Sequence, residues 1–326
     1  MKAVTVHMEA DEPILKWAKV PDIDCGPQEV LIDVWAAGVN RADLSQARGH
    51  YPPPPGASEV LGLEAAGIIV KVGSEVSGWQ AGDRVCSLLA GGGYAERVAV
   101  PAGMLLRLPD HWSFVQGAAV PEAWYTAYIN LFQEGRLQAG ESALIHAGAS
   151  GVGTAAIQLA VDSGARAIVT VGTDEKARLC RALGATAINY RTQDFLAATM
   201  EATGGQGADV ILDPVGGSYL ARNIAALRPF GRLISIGLLG GSTGELSMEH
   251  VLRKRLRIIG STLRSRSWEE KIAITRQFET AIWPKLADGR LRPIIDRTYP
   301  VTAAQAAHRY LAENRTVGKV ILEVPG

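Results

Sequence analysis

After Pro121 the chain repeats one pattern: a short apolar run, then a longer segment with helical spacing. Residues 142–146 lead into a helical pattern over 154–163, residues 167–171 into one over 174–183, and residues 209–213 into one over 219–226. Runs at 232–236 and 257–260 follow. A strand that returns through a helix re-enters its sheet in the same direction, so this rhythm predicts βαβ units and a parallel sheet. Before Pro121 the rhythm differs. Short β-like runs at 30–34, 66–72 and 94–100 are separated by turn signals such as Gly73-Ser74, Gly82-Asp83 and Pro101-Ala102-Gly103, which predicts a β-rich, barrel-like unit. From about Trp268 the pattern gives one long helix, a strand near 293–296, a helix near 303–313 and a strand over 319–324. The fold class is therefore α/β, with two domains in a chain of 326 residues.

Composition narrows the functional classes. Apolar residues make up 47% and charged residues 20%, an ordinary globular balance. The 33 basic and 33 acidic residues cancel, so the basic excess expected of a nucleic-acid or anionic-membrane surface is missing. No apolar run has the length of a membrane span, and Glu9, Asp11 and Glu12 interrupt any signal-like core at the N-terminus. Cys25, Cys86 and Cys180 are odd in number and far apart. That spacing suits free thiols, a reducing compartment and a cytoplasmic protein.

The loop His146-Ala147-Gly148-Ala149-Ser150-Gly151-Val152-Gly153 lies between a predicted strand and a predicted helix. In that context Gly148 and Gly151 are expected to permit positive φ and close backbone approach, and Gly153 to let helix and strand pack closely. The helix start, with Ser150 and Val152, offers unsatisfied N–H groups and a partial positive charge to a pyrophosphate. A tight strand-to-helix turn with no ligand is the alternative. The next strand ends in Gly172-Thr173 without the carboxylate that would hydrogen-bond an NAD ribose, and Lys176 follows. A missing acid and a nearby cation favour the 2′-phosphate of NADPH. Asp174 would cap the helix in either case, and Lys176 would otherwise be solvated. Tyr190 and Arg191, at the end of the following strand, could flank and neutralise that phosphate; a partly buried core tyrosine is the alternative.

With those residues placed, the chain resembles the medium-chain dehydrogenase/reductase superfamily over nearly its whole length. It is most similar to the zinc-free quinone oxidoreductase branch, of the p53-inducible type. The resemblance is carried by Asn40-Arg41-Ala42-Asp43-Leu44, by Gly49 through the four prolines Pro52 to Pro55 to Gly56, by Leu61-Gly62-Leu63-Glu64, and by Pro121-Glu122-Ala123-Trp124. The glycine loop, Leu263-Arg264-Ser265-Arg266 and Tyr299-Pro300-Val301 add to it. It implies a β-rich GroES-like barrel catalytic domain over 1–121 and 267–326, and an inserted Rossmann domain, a doubly wound parallel sheet, over 122–266. It also implies NADPH, hydride transfer to a quinone, and a homodimer or tetramer assembled through the Rossmann domains.

By the same resemblance Asn40 lies near the nicotinamide and Tyr51 at the rim of the site, with an ordinary turn asparagine and an exposed loop tyrosine as alternatives. Gly237, Leu238 and Leu239 would run past the nicotinamide ribose. Leu263, Ser265 and Lys319 are weaker carry-overs to the cofactor, and Trp124 is a candidate for an apolar pocket. The zinc enzymes of the superfamily place metal ligands where this chain has Asn40 and Leu63. Leu63 cannot bind a metal, and the six histidines show no ligand spacing, so no metal site is expected. Glu64 would be a buried carboxylate held by hydrogen bonds or an arginine. The implied function is an NADPH:quinone oxidoreductase. The alternatives are an NADPH-dependent enone or enoyl-thioester reductase, and a non-catalytic NADPH-binding sensor or structural protein. The partner is a small quinone or conjugated carbonyl, with no nucleic acid or membrane.

Overall fold

The structure is a computed structural model that describes residues 1–10 and 12–325. The chain divides into two compact units, Met1–Tyr125 with Leu263–Gly326, and Thr126–Thr262.

The second unit is built on a six-stranded sheet. Its order is Thr186–Asn189, Arg166–Val171, Ser142–Ile145, Ala208–Asp213, Leu227–Ser235, Arg257–Gly260. Every neighbouring pair is parallel. In chain order the strands run third, second, first, fourth, fifth, sixth. The order reverses between Ser142–Ile145 and Ala208–Asp213, the switch point of a doubly wound Rossmann sheet. The strands Thr186–Asn189, Arg166–Val171, Ser142–Ile145 and Ala208–Asp213 are buried on both faces, while the edge strand Arg257–Gly260 has no buried residue; Ile168, Leu144, Ile211 and Leu233 pack into one core with Ile188, Phe195 and Ile224. That double burial explains why those four strands read as continuous apolar runs rather than alternating ones.

The first unit holds a seven-stranded sheet in the order Ile295–Pro300, Lys319–Glu323, Glu29–Val39, Glu64–Val72, Arg84–Leu88, Leu105–Arg107, with Arg97–Pro101 also paired to Glu29–Val39. All its pairs are antiparallel except Ile295–Pro300 with Lys319–Glu323. Two strands from the C-terminal segment thus complete a sheet begun by the N-terminal one. A separate hairpin, Lys2–Glu9 with Glu12–Lys19, is attached through an Ala3–Ala95 bridge.

Several local expectations need correction. The long helix from Trp268 is two, Trp268–Ala281 and Trp283–Ala287, because Pro284 cannot continue the first ladder and opens the second helix instead. The strand expected near 293–296 is Ile295–Pro300. The helix after the glycine loop starts at Gly151, inside the loop. The cap of the next helix, Asp174–Ala182, is Thr173 and not Asp174, since the Thr173 hydroxyl accepts from Lys176 N at 3.2 Å.

Candidate active site

In the second unit every loop singled out from sequence leaves the C-terminal end of a parallel strand, the end where open α/β sheets bind ligands. The glycine loop follows Ser142–Ile145, Gly172 follows Arg166–Val171, Tyr190 follows Thr186–Asn189, and Gly237 follows Leu227–Ser235.

The glycines of the first loop act differently from the expectation. Gly148, Gly151 and Gly153 do not take positive φ; Ala147 does, at 53°. The role of Gly148 and Gly153 is steric. A Cβ on Gly148 would sit 2.5 Å from the Val169 side chain, and one on Gly153 would sit 2.5 Å from the Ala147 and Gly148 carbonyl oxygens. The turn is therefore pressed against the neighbouring strand, and Gly148 N donates to Thr170 O at 3.0 Å. Ser150 caps the helix, its Oγ accepting from Gly153 N at 3.0 Å. The amides of Gly151 and Val152 have no partner among the described residues, which leaves two N–H donors and the positive end of a twelve-residue helix for an anion.

Gly172 lies under Tyr190. A Cβ there would be 2.7 Å from the Tyr190 hydroxyl and 3.6 Å from Arg191 Nε. Lys176 stands half-buried in the first turn of the same helix, while the Asp174 carboxylate accepts from Asn189 Nδ2 at 2.8 Å. Tyr190 and Arg191 thus stand against Gly172, just before the helix whose first turn carries Lys176. Gly237 packs on Pro214 O, and Leu238 and Leu239 stand exposed beyond it.

A polar network behind the glycine loop was not legible in the sequence. Asp213 accepts from Val215 N, Gly216 N and Asn223 Nδ2. That orients Asn223 Oδ1 toward His146 Nε2 at 2.7 Å, so Nε2 carries the proton and Nδ1 accepts from the Thr170 hydroxyl at 2.9 Å. Burial pushes His146 down to about 4, despite the Asn223 bond. The ring stays neutral and fixes the ends of three strands.

The first unit holds a buried charged cluster. The Lys319 ammonium donates to Glu64 Oε1 at 2.5 Å, Asn40 Oδ1 at 2.6 Å and Val39 O at 3.2 Å. Its three donors are thereby committed inside this unit, and none is left for a cofactor phosphate. Glu64 is completed by Asn40 Nδ2 and Glu122 N, both at 2.9 Å. The cation that holds Glu64 is a lysine rather than an arginine. Asn40 caps the helix Arg41–Ala47, and its amide is fixed on both sides by Lys319 and Glu64. Asp43 accepts from Asn40 N, Gly62 N and the Tyr94 hydroxyl. Burial nevertheless raises its carboxyl to about 6, against the pull of those donors and Lys319.

Tyr51 is half-buried and held by Arg264, a residue the sequence did not single out for the site. Arg264 donates to Tyr51 O at 3.1 Å, to Ala90 O at 2.8 Å and to Gln46 Oε1 at 2.7 Å, with its guanidinium 5.2 Å from the Tyr51 ring centre. Burial, then the charge of Glu122, raises the Tyr51 phenol, and Arg264 partly offsets them. Leu263 is buried and Ser265 exposed in the same turn. Trp124 is fully buried core. A metal does not fit this donor set: Leu63 is apolar and buried, and an ammonium is bonded to both Asn40 and Glu64. Among the described residues no group of His, Cys, Asp and Glu could hold an ion.

Comparison with known proteins agrees with this architecture. Residues 26–110 match the family model described as alcohol dehydrogenase GroES-like domain, and residues 151–277 the one described as zinc-binding dehydrogenase. The chain is 33% identical to the quinone oxidoreductase of Homo sapiens over 297 residues, 90% of this chain and 88% of the relative. It is 30% identical to a 2-haloacrylate reductase of a Burkholderia species over 98% of both. The structure of Escherichia coli quinone oxidoreductase complexed with NADPH superposes with a TM-score of 0.88 at 31% identity, over 99% of both chains. With a Rossmann unit, a GroES-like unit and relatives at this identity, the chain belongs to the medium-chain dehydrogenase/reductase superfamily, in its quinone oxidoreductase branch, and is an oxidoreductase.

Proposed function

We propose that the chain is an NADPH-dependent reductase that transfers hydride to quinones without a metal. The observation that carries this reading is the Lys319 ammonium seated on Glu64 and Asn40. With no electrophilic metal to polarise an alcohol or simple carbonyl, the acceptor must need little activation, and a quinone becomes aromatic when reduced.

The second unit suits NADPH. The open Gly151 and Val152 amides fit a pyrophosphate, and the Gly172, Lys176, Tyr190 and Arg191 wall fits a 2′-phosphate with no competing carboxylate, since Asp174 is turned to Asn189. Gly237, Leu238 and Leu239 would border the nicotinamide end. When bound, NADPH would supply the hydride and the protein orientation and dryness, with solvent able to protonate a reduced quinone. Asn40, locked by Lys319 and Glu64, presents a fixed amide edge for a carboxamide or substrate oxygen. Lys319 acts in this reading as the residue that positions Asn40. Leu263 and Ser265 flank the Arg264 that holds Tyr51. The Tyr51 hydroxyl donates to a substrate carbonyl. A homodimer agrees with the exposed apolar residues Leu246, Met248, Leu252 and Ile258 of the second unit; a mass measurement in solution tests it.

Nicotinamide absorbance followed with NADPH or NADH, an ortho-quinone, a para-quinone and an enone, each with and without chelator, tests the proposal. Chelator-resistant, NADPH-preferring quinone turnover is expected; turnover only with the enone would overturn it. The enone reading has its own support in the haloacrylate reductase relative and in the placement of Tyr51. Under it Tyr51→Phe lowers enone turnover by roughly 100- to 10,000-fold and spares quinone turnover. Equal losses on both acceptors would remove the distinction.

A further inference from the structure

Four buried polar side chains of the second unit form one unbroken line of hydrogen bonds, and each is at most 1% exposed. Asp213 ends the strand Ala208–Asp213 and accepts from Asn223 Nδ2 at 3.1 Å. Asn223, on the helix Leu220–Ala226, accepts from His146 Nε2 at 2.7 Å. His146 Nδ1 accepts from the Thr170 hydroxyl at 2.9 Å. The line has a direction. Asp213 already accepts from Val215 N and Gly216 N, and a carboxylate can only accept, so Asn223 turns its NH2 to Asp213 and its carbonyl to His146. The neutral ring then carries its one proton on Nε2, and Nδ1 is left to the hydroxyl. Aliphatic side chains of similar size would fill this space with no partner to satisfy, but they could not tie one loop to another.

Both ends of the line meet loops. At one end Thr170 O accepts from Gly148 N at 3.0 Å, and His146 runs directly into Ala147, whose φ of 53° turns the chain into the glycine loop. At the other end Asp213 holds the turn 214–216, and residues 214–218 are zipped to 237–241. Leu239 N donates to Pro214 O at 3.1 Å, Gly240 N to Val215 O at 2.7 Å, Gly217 N to Gly241 O at 2.9 Å and Ser218 N to Gly240 O at 3.2 Å. The zip leaves no room for a side chain, since a Cβ on Gly240 would be 2.2 Å from Ser218 Oγ. We infer that Thr170, His146, Asn223 and Asp213 are positioning residues of the cofactor site, which set the loop 237–241 in register with the glycine loop before NADPH binds. This rests on the cofactor placement proposed above, in which the glycine loop takes the pyrophosphate and Gly237 to Leu239 border the nicotinamide end. A loop that holds its binding arrangement only a tenth of the time weakens its ligand about 10-fold, and the line removes that loss at the nicotinamide end.

The test uses the intact protein and two ligands: NADPH, and 2′-phospho-ADP-ribose, which keeps the pyrophosphate and lacks the nicotinamide. Asn223→Leu breaks the line in the middle. It should weaken NADPH roughly 10-fold and leave the fragment within about 2-fold of wild type, because the glycine loop keeps its own bonds to Thr170 O and Ser150 Oγ. Asp213→Asn reverses the line instead. Its amide keeps an acceptor for Val215 N and Gly216 N but turns an NH2 toward Asn223, so Asn223 flips and the His146 proton moves to Nδ1. Nitrogen NMR should show that change of tautomer, with NADPH affinity retained. In wild type without cofactor, the Leu239 and Gly240 amides should already be protected from hydrogen exchange. Equal losses on both ligands, an unweakened NADPH in Asn223→Leu, a His146 proton that stays on Nε2 in Asp213→Asn, or unprotected wild-type amides would each overturn the inference alone. If Asn223→Leu does not fold, the tautomer and exchange measurements decide it. A wild type that binds neither ligand overturns the cofactor reading, and this inference with it.

Discussion

Replacing Lys319 by methionine removes one charge from the first unit while nearly preserving the length of the side chain. The pair it breaks is deeply buried, with Lys319 5% exposed and Glu64 0% exposed. Glu64 keeps its bonds from Asn40 and Glu122 N, but two neutral donors do not compensate a carboxylate shut away from water. Removing one partner of such a pair costs about 3–5 kcal/mol, more than either of the lost contacts to Val39 and Asn40 contributes at about 1.5–3 kcal/mol for a charged donor. The orphaned carboxylate is therefore the largest single effect. For a unit of this size each kcal/mol moves Tm by roughly 2–4 °C, so calorimetry should show a fall of roughly 6–20 °C. If the orphan dominates, adding Glu64→Gln must recover part of the loss, because glutamine can still accept from Glu122 N without a charge. A coupling of at least about 2 kcal/mol is expected in the double-mutant cycle. A Lys319→Met variant within about 1 kcal/mol of wild type, or a double variant with strictly additive losses, would refute the reasoning.

Four other substitutions probe the second unit. Lys176→Ala should weaken NADPH by roughly 10- to 150-fold, the equivalent of one charge-assisted contact, and leave NADH unchanged in a fluorescence titration; an unaltered preference would move the discrimination to Tyr190 and Arg191. Gly148→Ala forces a methyl onto Val169 at 2.5 Å and should destabilise the unit by about 1–3 kcal/mol. Gly172→Ala meets only the end of the part-exposed Tyr190 and should lower NADPH affinity with little loss of Tm. The opposite pattern would exchange the roles of the two glycines. His146 titrates at about 4 when folded, against an ordinary histidine value of 6.5. The unfolded chain therefore binds the proton first, and stability present above pH 6.5 is lost as pH falls toward 4, by about 3 kcal/mol from a shift of this size. In His146→Gln that acid slope should be absent, and urea midpoints between pH 7 and 4 would detect its persistence.

The parallel sheet was legible because most of its strands are buried on both faces and feed a helix, so burial and period both leave marks on the sequence. The hairpin Lys2–Glu9 and Glu12–Lys19 left none, since most of its first strand faces outward. The helix Met248–Lys254 buries no residue and so has no apolar stripe to read. The Pro284 break is visible in principle, since a proline cannot continue a helix, but the apolar period on either side of it masks the join. At the site, residues near one another in sequence, such as Gly148 with Ser150 or Gly172 with Lys176, were found together by spacing alone. Lys319 was expected at the cofactor; its bonds to Glu64 and Asn40 left no local mark, because those partners lie 255 and 279 residues away. Arg264 and Glu122 stand in the sequence only as parts of longer motifs. Their importance is a matter of which donors are already spent, and no local pattern records that.

The distance between Asn40 and Lys319 also sets an order on biosynthesis. The strand Lys319–Glu323 pairs with Glu29–Val39, which leaves the ribosome long before it. At roughly 5–20 residues per second, the 279 residues between Asn40 and Lys319 take roughly 14–56 s to make. Over that interval Glu29–Val39 lacks one neighbour and Glu64 lacks its cation. The segment Thr126–Thr262 is continuous and can close its own sheet meanwhile. Pairings of such long range are slow to form, so the first unit should be the last to become protease-resistant in a nascent chain. A transcript cut short before Lys319 would give a product with an intact glycine loop and an uncompensated carboxylate, a ready substrate for degradation.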